Sequence, residues 1–219
     1  MTWLAVDRPI VKLYRSFYRT TKRVTEFIFC LLMMPILVLL AVIIGVAIHL
    51  DSPGPVFLIQ RRIGKGGQFF NIIKFRTKHY EFSRESHQAF MEAFVDDNGN
   101  INSENESLNK DSITHVGHFL RNTGLDELPQ FLNVFKGEMS FIGPRPIVPR
   151  EIEAYQAWHK ERLAVLPGVT GLAQIKGRSG LVIDDIAQYD IEYIEKQGFW
   201  LDLRVLWWAI TSVVFNGRK

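Results

Sequence analysis

The feature that most limits what this chain can fold into is the segment 24–50, 27 residues with a single charged side chain, Glu26. Within residues 27–48, 20 of 22 are apolar, the exceptions being Pro35 and Gly45. At about 1.5 Å per helical residue this run is long enough to cross a hydrocarbon core of roughly 30 Å. It is too long for a cleavable signal peptide, and no A-x-A-like site follows it. The other 192 residues hold 48 of the 49 Asp, Glu, Lys and Arg side chains, a charge density ordinary for a globular domain. The chain therefore reads as one soluble-type domain with a membrane element attached, and 219 residues exclude a multidomain machine.

Hydropathy alone gives a single-pass anchor, but two features favour an element that enters and leaves on one face. Residues 1–23 carry six cations (Arg8, Lys12, Arg15, Arg19, Lys22, Arg23), and residues 51–78 carry six more (Arg61, Arg62, Lys65, Lys74, Arg76, Lys78). Positive-inside bias keeps both flanks cytoplasmic, which a hairpin satisfies and a spanning helix does not. Pro35 stands near the middle, where it removes a backbone hydrogen bond and bends a helix. The arms on either side reach only about 16 to 22 Å, too short to span alone. The sequence predicts a re-entrant helix-break-helix, with a tilted, kinked single pass as the alternative. The basic and aromatic residues 1–22 suit an amphipathic helix in the headgroup layer. The stretch 199–208, with three of the five tryptophans, suits another and reads equally well as a buried C-terminal helix.

Net charge is +3 and the pI is near 9.0, which fits an anionic surface or substrate without choosing between them. The single cysteine, Cys30, permits no disulfide within the chain and no thiolate metal site. After the turn-rich residues 51–55, residues 56–59 and 69–75 read as two strands around Gly64-Lys65-Gly66-Gly67, a hairpin signal. Helical patterns fall near 84–95, 114–122, 126–136, 148–164, 185–196 and 200–215. The polar residues 96–110, with five Asn, read as a loop without catalytic residues.

The chemistry-bearing block is Thr123-Gly124-Leu125-Asp126-Glu127-Leu128-Pro129-Gln130, followed by Gly143-Pro144-Arg145-Pro146. Thr123 with Asp126 three residues on resembles a capping-box helix start, and Pro129 is tolerable in a first turn. A helix N-terminus also suits a phosphate, and adjacent carboxylates there divide labour between attack on phosphorus and holding a divalent metal. Arg145 between two prolines is either a guanidinium stiffly presented for bidentate phosphate binding or a solvated arginine on a surface turn.

With these residues in view, the sequence closely resembles the small monotopic phosphoglycosyl transferases of the bacterial sugar transferase family. The resemblance runs from about residue 24 to the end and rests on motifs in order. These are Ser52-Pro53-Gly54-Pro55-Val56-Phe57, Gln60-x-Arg62-x-Gly64, Lys74-Phe75-Arg76-Thr77, residues 125–130 with Asn133 and Lys136-Gly137, Met139 to Pro146, and Pro167 to Gly171 with Gln174 and Gly177-Arg178. It implies transfer of a sugar phosphate from a UDP-sugar to polyprenyl (undecaprenyl) phosphate with release of UMP, the first membrane step of exopolysaccharide, O-antigen or glycan assembly. Asp126 would be the nucleophile carrying a covalent phosphosugar, and Glu127 would ligate Mg2+ as the cofactor. Arg145 would neutralise phosphate, with Arg121, Lys74, Arg76 and Arg62 as further candidates, and Gln130, Gln174 and Arg178 would complete the substrate site. His115 and His118 stand where basic residues are common in the family, as substrate contacts or neutral surface residues, and Met34 stands where a Ser often pairs with the membrane proline. Without the spanning helices of larger members, the chain looks like the minimal catalytic form.

The expected fold is mostly α with a small β-hairpin, in a monotopic membrane protein with a re-entrant helix-break-helix and amphipathic interfacial helices. Residues 1–23 form a basic amphipathic segment, 24–50 the membrane helix and 51–219 a cytosolic catalytic domain with an interfacial C-terminal helix. The expected location is the bacterial inner membrane, with the domain on its cytoplasmic face. Expected partners are a UDP-sugar, polyprenyl phosphate and the lipid bilayer. Nucleic acid is not expected, and the Trp-rich surface leaves room for a homodimer. Residues 151–195 are the region expected to set sugar choice. Two other readings remain at this stage, a non-catalytic membrane adaptor of polysaccharide assembly and a Mg2+-dependent nucleotide-sugar diphosphate hydrolase. The intact Asp126-Glu127 pair argues against the adaptor.

Overall fold

Helix α1 takes 43 residues, Pro9–Asp51, into one continuous helix that runs on through Pro35. The expected separation into two helices at Pro35 is not seen. A proline removes one hydrogen bond, but in an apolar stretch the remaining backbone groups have no water to turn to and stay helical. The computed structural model describes residues 9–80, 113–177 and 182–216. The helical pattern at 84–95, the polar stretch 96–110 and Arg178 lie outside them.

Among the described residues α1 is the one helix long and apolar enough to cross a membrane, and only 17% of its most apolar window is buried against protein. Leu31, Leu32, Ile36, Leu39 and Ile43 are exposed, so it is not the core helix of a water-soluble domain. Both of its ends nevertheless pack on the same domain. Near the start, Arg23 donates to the Val134 carbonyl and, at 2.9 Å, to the Phe135 carbonyl. Glu26, the one charge in the apolar segment, is buried and accepts from Ser140 Oγ and, at 2.9 Å, from the Phe141 N–H. Cys30 packs with Ile72, Val134 and Met139. At the far end, Ile44 and Ile48 pack with Phe75 and Leu120, and Asp51 Oδ2 accepts from the Val116 N–H at 2.8 Å.

The domain is mostly helical. Strands β1 (Phe57–Ile63) and β2 (Phe69–Phe75) form the expected antiparallel hairpin, with Phe57 opposite Phe75 and Ile63 opposite Phe69. Helix α2 (His115–Thr123) is capped at its start by Thr114 Oγ1, which accepts from the Gly117 N–H at 2.9 Å. Helix α3 (Gln130–Lys136) follows, and Asn133 fastens it to β2. Its Nδ2 donates to the Asn71 carbonyl at 2.7 Å, and its Oδ1 accepts from the Ile73 N–H at 3.1 Å. Two three-residue strands, β3 (Ser140–Ile142) and β4 (Gly168–Thr170), pair in parallel. The pattern expected over 148–164 is two 3-10 segments, Pro149–Ala154 and Trp158–Ala164. Helices α4 (Leu172–Lys176), α5 (Ile183–Lys196) and α6 (Phe199–Asn216) complete the chain.

Helix α6 is not wholly buried. Val205 is fully buried, while Trp200, Trp207 and Trp208 are exposed. It is anchored to α1 through Asp202, which pairs with Lys22 Nζ at 2.7 Å and accepts from the Tyr18 and Tyr193 hydroxyls. Lys22 also donates to the Ile142 carbonyl at 2.7 Å, which ties β3 into the same junction.

The parallel pair explains the glycines of the later motifs. A Cβ on Gly168 would lie 2.2 Å from the Gly143 nitrogen, and one on Gly171 would lie 2.2 Å from the Gly143 oxygen. Backbone meets backbone there, so no rotamer change relieves the clash. Gly168→Ala is expected to destabilise the domain by about 1–3 kcal/mol, read as a lower denaturant midpoint at unchanged slope. A midpoint equal to that of the wild type would refute this packing.

Candidate active site

The carboxylate pair lies on a connection rather than at a helix start. Thr123 is the last residue of α2, and its hydroxyl donates to the Phe119 carbonyl at 2.8 Å, so it does not act as the capping-box residue. Gly124 then turns the chain with φ of 73°, a conformation glycine adopts at no steric cost. One 3-10 turn, Leu125–Glu127, leads to Pro129 and α3. The pattern over 126–136 misses this step because a 3-10 turn followed by an α-helix preserves apolar spacing. Leu125 and Leu128 pack against the cluster of Ile44, Phe75 and Leu120. Residues three apart eclipse on a 3-10 turn, so the two leucines anchor one face and leave Asp126 and Glu127 on the other.

Beside that turn is an open cleft. Arg62 of β1, Lys74 of β2, Glu127, Gln130 of α3, Arg145 from the loop after β3 and Gln174 of α4 all line it. Six of the residues singled out in the sequence thus converge from six elements. Lys74 Nζ lies 3.2 Å from Glu127 Oε1, both side chains about one-sixth exposed. Arg62 is held by Gln60 Oε1 at 3.0 Å. Burial, with Arg145 and Arg150 nearby, pulls its guanidinium below its ordinary pKa, while Glu151 acts the other way. Three cations against one carboxylate make the lining net positive, and that excess is relieved by an anion with several oxygens. Gln174 Oε1 is buried without a hydrogen-bond partner, an acceptor left for a ligand hydroxyl or N–H. Asp126 is half-buried next to Glu127, with its Oδ1 shielded from solvent.

The remaining expected residues lie elsewhere. Arg76 is buried and donates to the Ser52 and Pro53 carbonyls at 2.6 and 2.8 Å. Its charge secures the exit from α1 and is not presented to the cleft. Arg121 is exposed near the end of α2, with Nε on Thr77 Oγ1 at 2.9 Å, and does not line the cleft. His115 and His118 are exposed on α2 and do not line it either.

Residues 17–216 match the family described as bacterial sugar transferase. The chain belongs to the bacterial sugar transferase family. Among relatives of this sugar transferase is the UDP-glucose:undecaprenyl-phosphate glucose-1-phosphate transferase of Caulobacter vibrioides, 35% identical over 222 residues, covering 97% of this chain and 77% of the relative. The exopolysaccharide production protein ExoY of Rhizobium meliloti is 35% identical over 177 residues, 81% of this chain and 78% of ExoY. The galactosyl transferase CpsE of Streptococcus agalactiae is 33% identical over 208 residues, 94% of this chain. The chain spans only 45% of CpsE, and 34% of a Xanthomonas campestris relative with the same printed name as the Caulobacter protein.

One part of the candidate site left no mark in the sequence. Arg162 and Asp190, 4% and 1% exposed, form a buried ion pair beneath the Arg145 loop. In the sequence each looks like a charged residue on the wet face of a helix, and only the tertiary structure joins them. Burial pushes the Asp190 carboxyl from 3.8 up to about 6, against the pull of Arg162. A carboxyl with a raised folded-state pKa contributes stability that is fully present below pH 3.8 and lost as pH rises through about 6. The wild-type chain is therefore expected to lose this contribution between about pH 4 and pH 6, and Asp190→Asn to lose less over the same range. Denaturant midpoints across that window read the difference, and parallel curves would refute the assignment.

Proposed function

We propose that this chain transfers a sugar phosphate from a UDP-sugar to polyprenyl phosphate at the cytoplasmic face of the bacterial inner membrane, releasing UMP. The observation that supports this reading is the cleft itself, lined by Arg62, Lys74 and Arg145 together with Glu127, which pairs with Lys74 on the turn that also bears Asp126. The printed names of the Caulobacter and Xanthomonas relatives describe such a transfer from UDP-glucose. CpsE is named for galactose, so the sugar is left here as a class. ExoY's name points to exopolysaccharide production, the kind of glycan assembly this step would begin.

In this mechanism a carboxylate oxygen of Asp126 attacks the phosphorus that bears the sugar. The bond from that phosphorus to the bridging oxygen breaks, and UMP leaves with the electron pair. The sugar phosphate is then held on Asp126 as an acyl phosphate. An oxygen of polyprenyl phosphate attacks the same phosphorus, and the Asp126 carboxylate departs, giving polyprenyl diphosphate sugar. Arg145 and Arg62 bind the phosphates and counter the charge gathered on the departing nucleotide. Lys74 holds Glu127 against the turn. Gln174 and Gln130 offer polar atoms to the sugar or base.

A divalent ion fits this cleft as a site shared with substrate. Among the described residues no three His, Cys, Asp or Glu side chains gather, and Mg2+ is commonly held by one or two carboxylates together with substrate phosphates. Glu127, with Asp126 beside it, would hold the ion, which when bound offsets diphosphate charge.

The membrane reading that accompanies this function is a re-entrant α1. Arg23 and Asp51, 28 residues and about 42 Å apart along a straight helix, are both bound to one domain. A helix that crossed the bilayer between them would carry its two ends to opposite sides. The exposed tryptophans of α6 suit the headgroup layer of that same face.

Incubating the chain in lipid nanodiscs with a panel of UDP-sugars should give UMP in step with polyprenyl diphosphate sugar when polyprenyl phosphate is present. Steady UMP without the lipid would make the chain a hydrolase, and no UMP from any donor would leave the adaptor reading. Asp126→Asn should lower turnover at least about a thousandfold and abolish capture of radiolabelled sugar on the protein; continued labelling moves the nucleophile elsewhere. In a Cys30→Ser background, Thr2→Cys and Gly66→Cys should both resist an impermeant thiol reagent in intact cells. Labelling at position 2 alone would restore the single-pass topology.

A further inference from the structure

The buried Arg162–Asp190 pair joins the 3-10 segment Trp158–Ala164 to α5. A buried ion pair adds little to stability by itself, because removing two ions from water offsets their attraction. Its further contacts are therefore informative. Arg162 Nη1 donates to the Tyr155 hydroxyl, and Nη2 donates to the carbonyl of Arg145 at 3.3 Å.

Neighbouring peptides of the Arg145 loop are fixed by backbone hydrogen bonds. The Gly143 N–H donates to the Thr170 carbonyl at 2.9 Å, the Gly168 N–H to the Pro144 carbonyl at 2.8 Å, and Ile147 exchanges bonds with Ile63 at 2.9 and 3.2 Å. The carbonyl of Arg145 is held by a side chain instead. Pro144 and Pro146 on either side are buried, and a residue before proline is confined to extended backbone. Arg145, itself exposed, lines the cleft together with Arg62 and acts on its charge, so like charges push the two apart whenever no anion lies between them. The prolines restrict the loop's torsions and the backbone bonds at Gly143, Pro144 and Ile147 hold its two ends, which leaves the Arg145–Pro146 peptide between them to be fixed by Arg162.

We propose that Arg162, held in place by Asp190, is a positioning residue that fixes the Arg145 peptide and keeps its guanidinium in the cleft for the nucleotide diphosphate, against repulsion from Arg62. This rests on the functional reading above. The affinity that Arg145 supplies is then set in part from α5, a helix that does not line the cleft. The brace removes in advance the ordering cost that a free loop would incur on binding.

The test is a double-mutant cycle on the full chain in nanodiscs, with UDP as probe and calorimetric affinity as readout. Replacing the pair by apolar residues, Arg162→Met with Asp190→Leu, should leave the melting temperature unchanged or raised while weakening UDP binding about tenfold. In an Arg145→Ala background the same replacement should weaken it by less than about twofold, because the brace then has nothing to position. Arg162→Lys keeps a cation beside Asp190 but lacks the planar fork that reaches two acceptors. It should weaken UDP binding to a similar degree, which keeps the test intact if the apolar pair fails to fold. Equal losses with and without Arg145 overturn the proposal, as does unchanged affinity in both variants. A wild-type chain that binds UDP and shows the cycle, yet releases no UMP from any UDP-sugar, fails the functional reading and leaves the brace standing. A wild-type chain that does not bind UDP overturns both.

Discussion

The attachment of α1 to the domain through Glu26 and Arg23 is the interaction on which the other elements depend. A buried carboxylate within an apolar helix needs hydrogen bonds, and Glu26 Oε1 accepts two, from Ser140 Oγ and the Phe141 N–H of β3. Arg23, three residues earlier, donates to two carbonyls in the last turn of α3, where a cation is favoured. One turn of the membrane helix thus fixes the strand that leads into the Arg145 loop and the helix that follows the Asp126 turn. The two halves of the cleft are aligned through the same few residues.

The cleft is assembled from elements too short to hold their shape alone. The hairpin contributes Arg62 and Lys74, one 3-10 turn contributes the acids, and three-residue strands set the Arg145 loop and α4. Such pieces are stable only when fastened to one another, and the fastenings are specific. Asn133 pins α3 to β2, Arg76 pins β2 to the end of α1, and bare backbone contact at Gly143 and Gly168 brings β3 and β4 together. Positive charge collects where these pieces meet because the neighbouring carboxylates are engaged elsewhere, Glu26 at β3, Asp190 with Arg162 and Asp202 with Lys22.

The hairpin was legible in the sequence, since two short runs rich in aromatic and branched apolar residues flank a glycine-rich turn and nothing distant alters that pattern. The membrane segment was legible from hydropathy, and most of the cleft from motif order. What escaped has common physical causes. Pro35 signalled a break, but apolar surroundings keep the backbone helical. Thr123 looked like a helix start because capping residues look alike at either end, and the chain actually turns at Gly124. Strands β3 and β4 are too short to show any period. Arg76 resembled a phosphate ligand until the Ser52 and Pro53 carbonyls took up its two terminal nitrogens, and Arg162 and Asp190 became partners only through tertiary contact.

Only the short connection from Asp51 to Phe57 separates α1 from the hairpin, and α1 is gripped at both ends. The domain is therefore seated on α1 and does not swing from a leash. For a tethered enzyme, linker length sets how often the site meets a target in the bilayer. In the proposed membrane setting no such averaging occurs, and the height and tilt of the cleft above the lipid follow from the fold. In the proposed reaction an acceptor confined to the membrane plane needs to search in two dimensions only, because the third coordinate of the encounter is fixed before it arrives.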